Sequence, residues 1–215
     1  MKFTDFALLG IAGLALATTD CNEELKFKAE NKPKLVEVRK KCDRKIEDLC
    51  KAEFRALLDT IAYAEGTNNH YNIMFGGRTF SDYSAHPTKT REMSRRGIRF
   101  GRRNRSTAAG RYQFLARTYH DLKRKGLFED FSAEEQDEAA LYLIKRKRKV
   151  SEQMLEIAIK RKNFDPVWYQ LSKEWASLPH PKTGRSRYRK QKSVKKEILN
   201  QQYLTFYQEH KLMGY

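Results

Sequence analysis

Residues 61–67 read Ile-Ala-Tyr-Ala-Glu-Gly-Thr, and they close a segment of periodic apolar residues. From Lys34 to Ala64, apolar residues recur at steps of mostly three and four, which is the spacing of one face of an α-helix. Gly66 favours the end of such a helix, because glycine enters the left-handed conformation without strain. We therefore predict a long amphipathic helix whose last turn carries Glu65.

A short β-hairpin is expected directly after this helix. Two β-rich runs between Tyr71 and Tyr83 flank Gly76 and Gly77, and a glycine pair between such runs is typical of a tight turn. The following stretch, residues 81–109, is irregular and rich in arginine. That composition indicates a functional loop or a flap.

The later part of the chain has helical patterns. Ser132 with Glu135 forms a capping-box pattern at a helix start, and the basic run 145–149 follows at its end, as the helix dipole favours. Further helices are predicted over residues 154–159, from Asp165-Pro166 through Trp175, and over residues 198–210. Together these elements predict an α+β fold, mostly helical, with a small β-hairpin beside a groove.

Composition limits the class of protein and its partners. Of the 215 residues, 40% are hydrophobic, which is enough for one core and favours one main domain. A net charge of +17 predicts attraction to anionic partners such as nucleic acid, phospholipid surfaces or anionic polymers of a cell envelope. The five histidines show no metal-ligand spacing, and no phosphate-binding glycine loop is present, so we expect neither a metal nor another cofactor.

The N-terminus carries an uncharged apolar run from Phe6 to Thr19, ended by Asp20. This run is short for a membrane span and suits the core of a secretory signal. Residues 1–20 are therefore interpreted as a signal peptide, a weak uncleaved signal-anchor or a buried helix. The first two would export the chain, and the anchor would also tether it to the inner membrane. Residues 21–33 are predicted to be a linker, and residues 34–215 the main domain with an N-terminal helical extension.

Three cysteines are present, Cys21, Cys42 and Cys50. If Cys42 and Cys50 lie on one helix, their Cα atoms are about 12 Å apart, too far for a disulfide bond. At most one disulfide within the chain is expected, from Cys21 to either of the others. The alternative is that Cys42 and Cys50 pack as small apolar residues.

Glu65 is the candidate for acid chemistry. The residues just before it are apolar and a hairpin is expected just after it, so its surroundings should keep the carboxyl protonated near neutral pH. The run Gly110-Arg111-Tyr112-Gln113 begins 45 residues later and could bring Tyr112 and Gln113 to the same groove. A protonated carboxyl in a groove with such groups is typical of enzymes that cleave sugar chains.

Several short blocks in one order resemble the lambda-type phage endolysins, lysozyme-like lytic transglycosylases that cleave peptidoglycan. The blocks lie between about Phe54 and Tyr207, and they are Ala62–Thr67, Phe75–Gly77, Phe80–Pro87, Ala109–Leu115, Phe131–Ser132, Gln136–Asp137 and Trp175–Pro179. The resemblance implies a lysozyme-like fold with the hairpin beside the active-site cleft. It also implies peptidoglycan glycan strands as the substrate, action in the host periplasm or cell envelope, and a monomer.

By the same resemblance, Glu65 would protonate the leaving oxygen of the MurNAc–GlcNAc β-1,4 bond. It would then accept a proton from the C6 hydroxyl of the same MurNAc, which closes a 1,6-anhydro ring without water. The substrate-binding residues implied by the motifs are Tyr83, Tyr112, Gln113, Trp175, Ser177 and Tyr188. For Trp175, a position in the core is an equal alternative.

Two other functions stay open. A hydrolytic lysozyme on the same fold would need a second acid. Asp82 is the nearby motif acid, but a loop-ordering role through backbone hydrogen bonds is favoured for it, while Asp59 lies nearly on the far side of the helix from Glu65. A catalytically inactive nucleic-acid-binding protein would use the basic runs 95–105 and 145–149, and the intact setting of Glu65 argues against it.

Overall fold

The helix predicted to end at Glu65 is the central element of the fold. The computed structural model describes residues 47–100, 104–189 and 191–215. Helix α1 (Ala52–Glu65) buries an apolar face that includes Phe54, Leu58 and Ile61. It ends at Gly66, whose φ of 70° is left-handed and whose N–H donates to the carbonyls of the last turn, as predicted.

The predicted continuity of this helix towards the N-terminus is wrong within the described residues. A short 3₁₀ turn covers Glu47–Cys50, and Lys51 is extended with φ −97° and ψ 129°. The apolar pattern steps by five residues from Leu49 to Phe54, which does not keep one helical face. The Lys51 ammonium also donates to Glu152 at 2.6 Å, and this contact joins the extended residue to a distant helix.

Cys50 forms a disulfide bond, so the expectation that it packs as a free small residue is wrong. Its partner lies outside the described residues. So do the apolar run 6–19, the linker 21–33, the first part of the predicted helix (residues 34–46), residues 101–103 of the arginine-rich stretch, and Lys190. Within the described ranges, no helix is both long and apolar enough to cross a bilayer.

The segment after α1 holds the small amount of β-structure. Ile73 and Thr79 form an antiparallel bridge around the predicted glycine turn, but they do not extend into strands. The two-stranded antiparallel sheet lies instead in the stretch predicted as irregular, with β1 (Ile98–Phe100) paired to β2 (Asn104–Ser106). A turn of helix, α2 (Pro87–Thr90), stands between the two features.

The remaining helices are α3 (Ala116–Lys123), α4 (Ala133–Tyr142), a π-helical turn (Leu143–Lys147), α5 (Glu152–Arg161), α6 (Asp165–Leu171) and α7 (Lys196–Leu212). Helix α3 was not predicted, and α4 to α7 follow the predicted order. The Ser132 hydroxyl accepts from the Glu135 N–H, as the capping pattern predicts. Helix α6 ends at Leu171 rather than at Trp175, and Phe164 rather than Asp165 precedes its first turn.

The core joins these helices around α1. Helix α7 packs along α1, and the Tyr203 hydroxyl donates to the Glu53 carbonyl at 3.2 Å. A cluster of aromatic rings fills the space beneath the β-containing segment, and its members are Phe80, Phe114, Tyr119, Phe128 and Phe131. The result is a mostly helical α+β fold in which the end of α1 meets the β-containing segment.

Candidate active site

Glu65 occupies the last position of α1, next to the left-handed Gly66. Protein atoms surround most of its carboxyl group, but part of the residue stays accessible to solvent. Burial raises the pKa of Glu65 to about 7, while hydrogen bonds from Ser177 act in the opposite direction. A carboxyl with this pKa is partly protonated near neutral pH, so it can both give and take a proton.

Ser177 is the direct partner of this carboxyl. Its hydroxyl donates to Glu65 Oε1 at 2.6 Å, across 112 residues of sequence. The backbone around it is fixed, because the Trp175 indole N–H donates to the Tyr112 carbonyl at 3.1 Å and the Val194 N–H donates to the Ser177 carbonyl at 2.9 Å. Ser177 is therefore held in place to orient one carboxylate oxygen.

Tyr112 does not offer its ring to a ligand, so its prediction as a sugar platform is wrong in this structure. The ring is fully buried, and its hydroxyl donates to Asp137 Oδ1 at 2.7 Å. Trp175 is also buried, with 4% of its surface exposed, which places it in the core behind the cleft wall. Both residues support the site through the bond from the indole to the Tyr112 backbone.

Gln113 remains partly accessible. Its backbone is left-handed, with φ of 51°, and its side-chain amide N–H group donates to the carbonyls of Ile73 and Gly110 at 3.0 Å each. These two bonds fix the amide plane against the β-containing segment. In the described part of the chain, its Oε1 is the atom left to accept a hydrogen bond from a ligand.

Tyr83 and Tyr188 are the exposed aromatic residues among those predicted, at 37% and 44%. The Tyr83 ring packs against Phe80 at 5.1 Å between centroids. The Tyr188 hydroxyl donates to the Lys173 carbonyl at 2.8 Å, which leaves its ring face open. The described contacts do not join either ring to Glu65, so their role with a ligand stays a prediction.

The two other candidate acids are engaged elsewhere. Asp59 pairs with Arg111 and with His210 Nε2, the latter at 2.6 Å, on a different face of α1. Asp82 accepts a hydrogen bond from the Ser84 N–H at 2.8 Å, which confirms its predicted part in ordering the loop. The Ser84 hydroxyl, together with that backbone bond, holds the pKa of Asp82 below its usual value.

Sequence reasoning missed two features that support the site. Arg111 and Asp137 form a buried ion pair at 3.1 Å, although both stand in motif blocks that could have drawn attention to them. Glu92 accepts hydrogen bonds from the backbone N–H groups of Ser81 and Asp82, at 2.8 and 3.1 Å, and so clamps the loop that carries Tyr83. No local pattern marks Glu92 for this role. In the described residues, no cluster of three or more His, Cys, Asp or Glu side chains could hold a metal ion.

The sequence of this chain is similar to those of known proteins. The family model described as "Endolysin" matches residues 55–207. The endolysin of Escherichia phage lambda is 34% identical over 133 residues, which cover 58% of this chain and 76% of that protein. The endolysin of Escherichia phage P2 is 29% identical over 155 residues, covering 65% of this chain and 87% of that one.

Solved structures agree with the sequence matches. Bacteriophage lambda lysozyme in complex with a chitohexasaccharide has a TM-score of 0.57 and 28% identity, covering 75% of this chain and 96% of that one. A second structure of lysozyme from bacteriophage lambda has a TM-score of 0.52 and 26% identity, covering 79% and 96%. The predicted lysozyme-like fold is thereby confirmed.

Proposed function

This chain belongs to the endolysin family, and we propose that it is a lytic transglycosylase that cleaves the MurNAc–GlcNAc β-1,4 bond of peptidoglycan. Family and fold together make it a phage enzyme of lysozyme type that degrades the peptidoglycan of the host cell wall. The finer statement, that it forms a 1,6-anhydroMurNAc end rather than adding water, is the proposal.

The observation that supports this proposal most directly is the environment of the Glu65 carboxyl group. Its pKa of about 7 lets the carboxyl be protonated when substrate binds and ionised after it has protonated the leaving oxygen. The Ser177 hydroxyl, 2.6 Å from Oε1, fixes the orientation of the group during both steps. One residue can therefore act first as acid and then as base.

The reaction is proposed to run in two proton transfers. Glu65 gives its proton to the glycosidic oxygen, and the bond from C1 of MurNAc to that oxygen breaks. The C6 hydroxyl oxygen of the same MurNAc then bonds to C1 while its proton passes to the Glu65 carboxylate. The enzyme ends in its starting protonation state, and no water is consumed.

The engagement of the other acids supports a route with one carboxyl group. Glycosidases of the retaining and inverting types use two carboxyl groups on opposite sides of the scissile bond. Asp59 is paired with Arg111 and His210, and Asp82 is used by the Ser84 turn. The buried pairing of Asp59 and the loop-ordering bond of Asp82 support a mechanism that needs Glu65 alone.

The substrate strand is proposed to lie across Glu65 between two walls. Tyr83 and Tyr188 would offer exposed ring faces to sugars, and Gln113 Oε1 would accept from a sugar amide or hydroxyl. The chitohexasaccharide in the lambda lysozyme structure is a glycan bound to that protein. We infer the same class of ligand for this cleft.

The test compares products of purified peptidoglycan digested by the wild type and by Glu65→Gln. Mass spectrometry should find released disaccharide peptides lighter by one water than the hydrolytic products, and the variant should release almost none. Glu209→Gln, which changes an exposed glutamate on α7, is the matched control and should digest normally. Reducing ends in the wild-type digest would contradict the transglycosylase and favour hydrolysis.

Export is a separate part of the proposal. We infer that residues 1–20 direct the chain out of the cytoplasm, as a cleaved signal or as a membrane tether. Mass spectrometry of the protein recovered from cells would distinguish the two. Enzyme that stays in the cytoplasm with residues 1–20 intact would contradict both.

A further inference from the structure

The chain between Glu174 and Glu197 is unusual in charge. It carries eight lysines and arginines and no acidic residue. Residues 180–195, here called the basic loop, hold most of them. In the described part of this loop, Lys182, Arg185, Arg189, Lys192 and Lys195 are exposed.

Both ends of the basic loop lie next to Ser177, in sequence at one end and by a hydrogen bond at the other. The Val194 N–H donates to the Ser177 carbonyl at 2.9 Å, and the Ser177 hydroxyl donates to Glu65. Arg189 is five residues from Val194, so its backbone lies within about 18 Å of that anchor. At the other end of the loop, the His180 N–H donates to the Arg185 carbonyl at 2.8 Å, and His180 is three residues from Ser177. The loop cations therefore lie on the chain that is anchored at the residue contacting Glu65.

The loop is ordered by contacts that leave its charge unbalanced. Arg187 donates to the Ser172 hydroxyl at 2.8 Å and lies over the Tyr169 ring at 4.7 Å. Glu174, the acid that precedes the loop, is already paired with Lys147 and Arg148. Among the ion pairs of the described residues, none includes a basic residue of the loop.

An ordered set of unpaired cations beside a cleft suits a ligand with fixed carboxylates. Guanidinium groups match carboxylates in bidentate geometry. The peptide stems of peptidoglycan carry carboxylates and project from each MurNAc of the strand. Removal of a stem by an amidase leaves one lactyl carboxylate on each MurNAc, close to the sugar, and takes away the carboxylates that lie further along the stem. The loop would therefore favour strands with stems over strands without them.

We propose that the basic loop binds the carboxylates of peptide stems on the strand held in the cleft, so that the enzyme prefers peptide-bearing strands. This inference rests on the proposed function. Nucleic acid or an anionic phospholipid surface would also be attracted by this charge. Binding to either of them would not require the basic loop to be anchored at Ser177, the residue that contacts Glu65.

The test uses the full chain with Arg185→Gln, Arg189→Gln and Lys192→Gln combined. The control combines Lys160→Gln, Arg161→Gln and Lys211→Gln, three exposed cations of α5 and α7 with the same change in net charge. Each protein is assayed on peptide-bearing strands and on strands whose stems an amidase has removed. The stripped strands report on glycan cleavage alone.

The loop variant should lose about tenfold in kcat/KM on peptide-bearing strands, mainly through KM, and at most about twofold on stripped strands. The control should lose at most about twofold on both. Added salt should reduce the wild-type preference for peptide-bearing strands, because exposed charges are screened.

Equal losses on the two substrates, or no loss on either, would overturn the proposal. So would a loop variant that keeps its cleavage but loses binding to duplex DNA or to anionic phospholipid vesicles. If the wild type cleaves stripped strands to anhydro products in those cases, the proposed function stands without this inference. If the wild type cleaves neither substrate, both fail.

Discussion

Glu65→Gln should make the folded protein more stable at alkaline pH while removing its activity. Burial raises the pKa of Glu65 from 4.5 to about 7. A rise of that size corresponds to about 3 kcal/mol of unfavourable free energy when the carboxyl is ionised in the folded state. Glutamine is close to glutamate in size, can still accept from Ser177 through its amide oxygen, and carries no charge at any pH.

The sign of the pH dependence follows from proton binding. Between about pH 4.5 and pH 7, folded wild type keeps a proton on Glu65 that the unfolded chain has lost. The stability of the wild type therefore falls through this window as pH rises, and the cost is complete above about pH 7. The advantage of Glu65→Gln over wild type should be smallest near pH 4 and should reach about 2–3 kcal/mol near pH 8.

Equilibrium urea unfolding at several pH values, followed by circular dichroism, measures this difference directly. Taking the difference between variant and wild type removes the contributions of groups that titrate in both, such as the buried His86. Glu209→Gln, at an exposed position, should differ from wild type by a small and constant amount. A difference between Glu65→Gln and wild type that does not change with pH would refute the reasoning.

Two further predictions concern the partners of the site. Ser177→Ala removes a hydrogen bond that lowers the pKa of Glu65. The limb of the pH–activity profile that reports loss of the acid proton should therefore move to higher pH, and kcat should fall. Ser177→Thr should restore the profile, and an unmoved limb in the alanine variant would count against the contact. Asp59→Asn removes the ion pair to Arg111 and changes the contact with His210, and it should cost about 2–4 kcal/mol by urea unfolding. Asp121→Asn, at the exposed pair with Arg124, should cost about 0.5 kcal/mol or less. Equal costs for the two aspartate variants would show that Asp59 is not a buried anchor.

Local sequence signals predicted the catalytic end of α1 well. Gly66 ends the helix in a left-handed conformation, and the apolar residues before Glu65 foretold a buried acid. The break at Lys51 was missed although the apolar pattern steps by five residues there, from Leu49 to Phe54. The contact of Lys51 with Glu152, 101 residues away in sequence, is a feature that no local pattern reports.

The site residues also divide into those whose place the sequence predicted and those whose place only the fold shows. The motif blocks placed Ser177 and Trp175 near the cleft, but only the fold shows that Ser177 contacts Glu65. A tyrosine inside a motif gives no sign of whether it faces the cleft or the core, and Tyr112 faces the core. The two strands were misplaced because residues 98–106 are polar and basic, without the alternating pattern of a half-buried strand.

The most direct test of the central claim, that Glu65 closes the new ring without water, is digestion in water labelled with the heavy oxygen isotope. Transglycosylation predicts that the MurNAc ends released by the wild type contain no solvent oxygen, since the C6 hydroxyl supplies the new bond. Labelled oxygen on C1 of those ends would contradict the account.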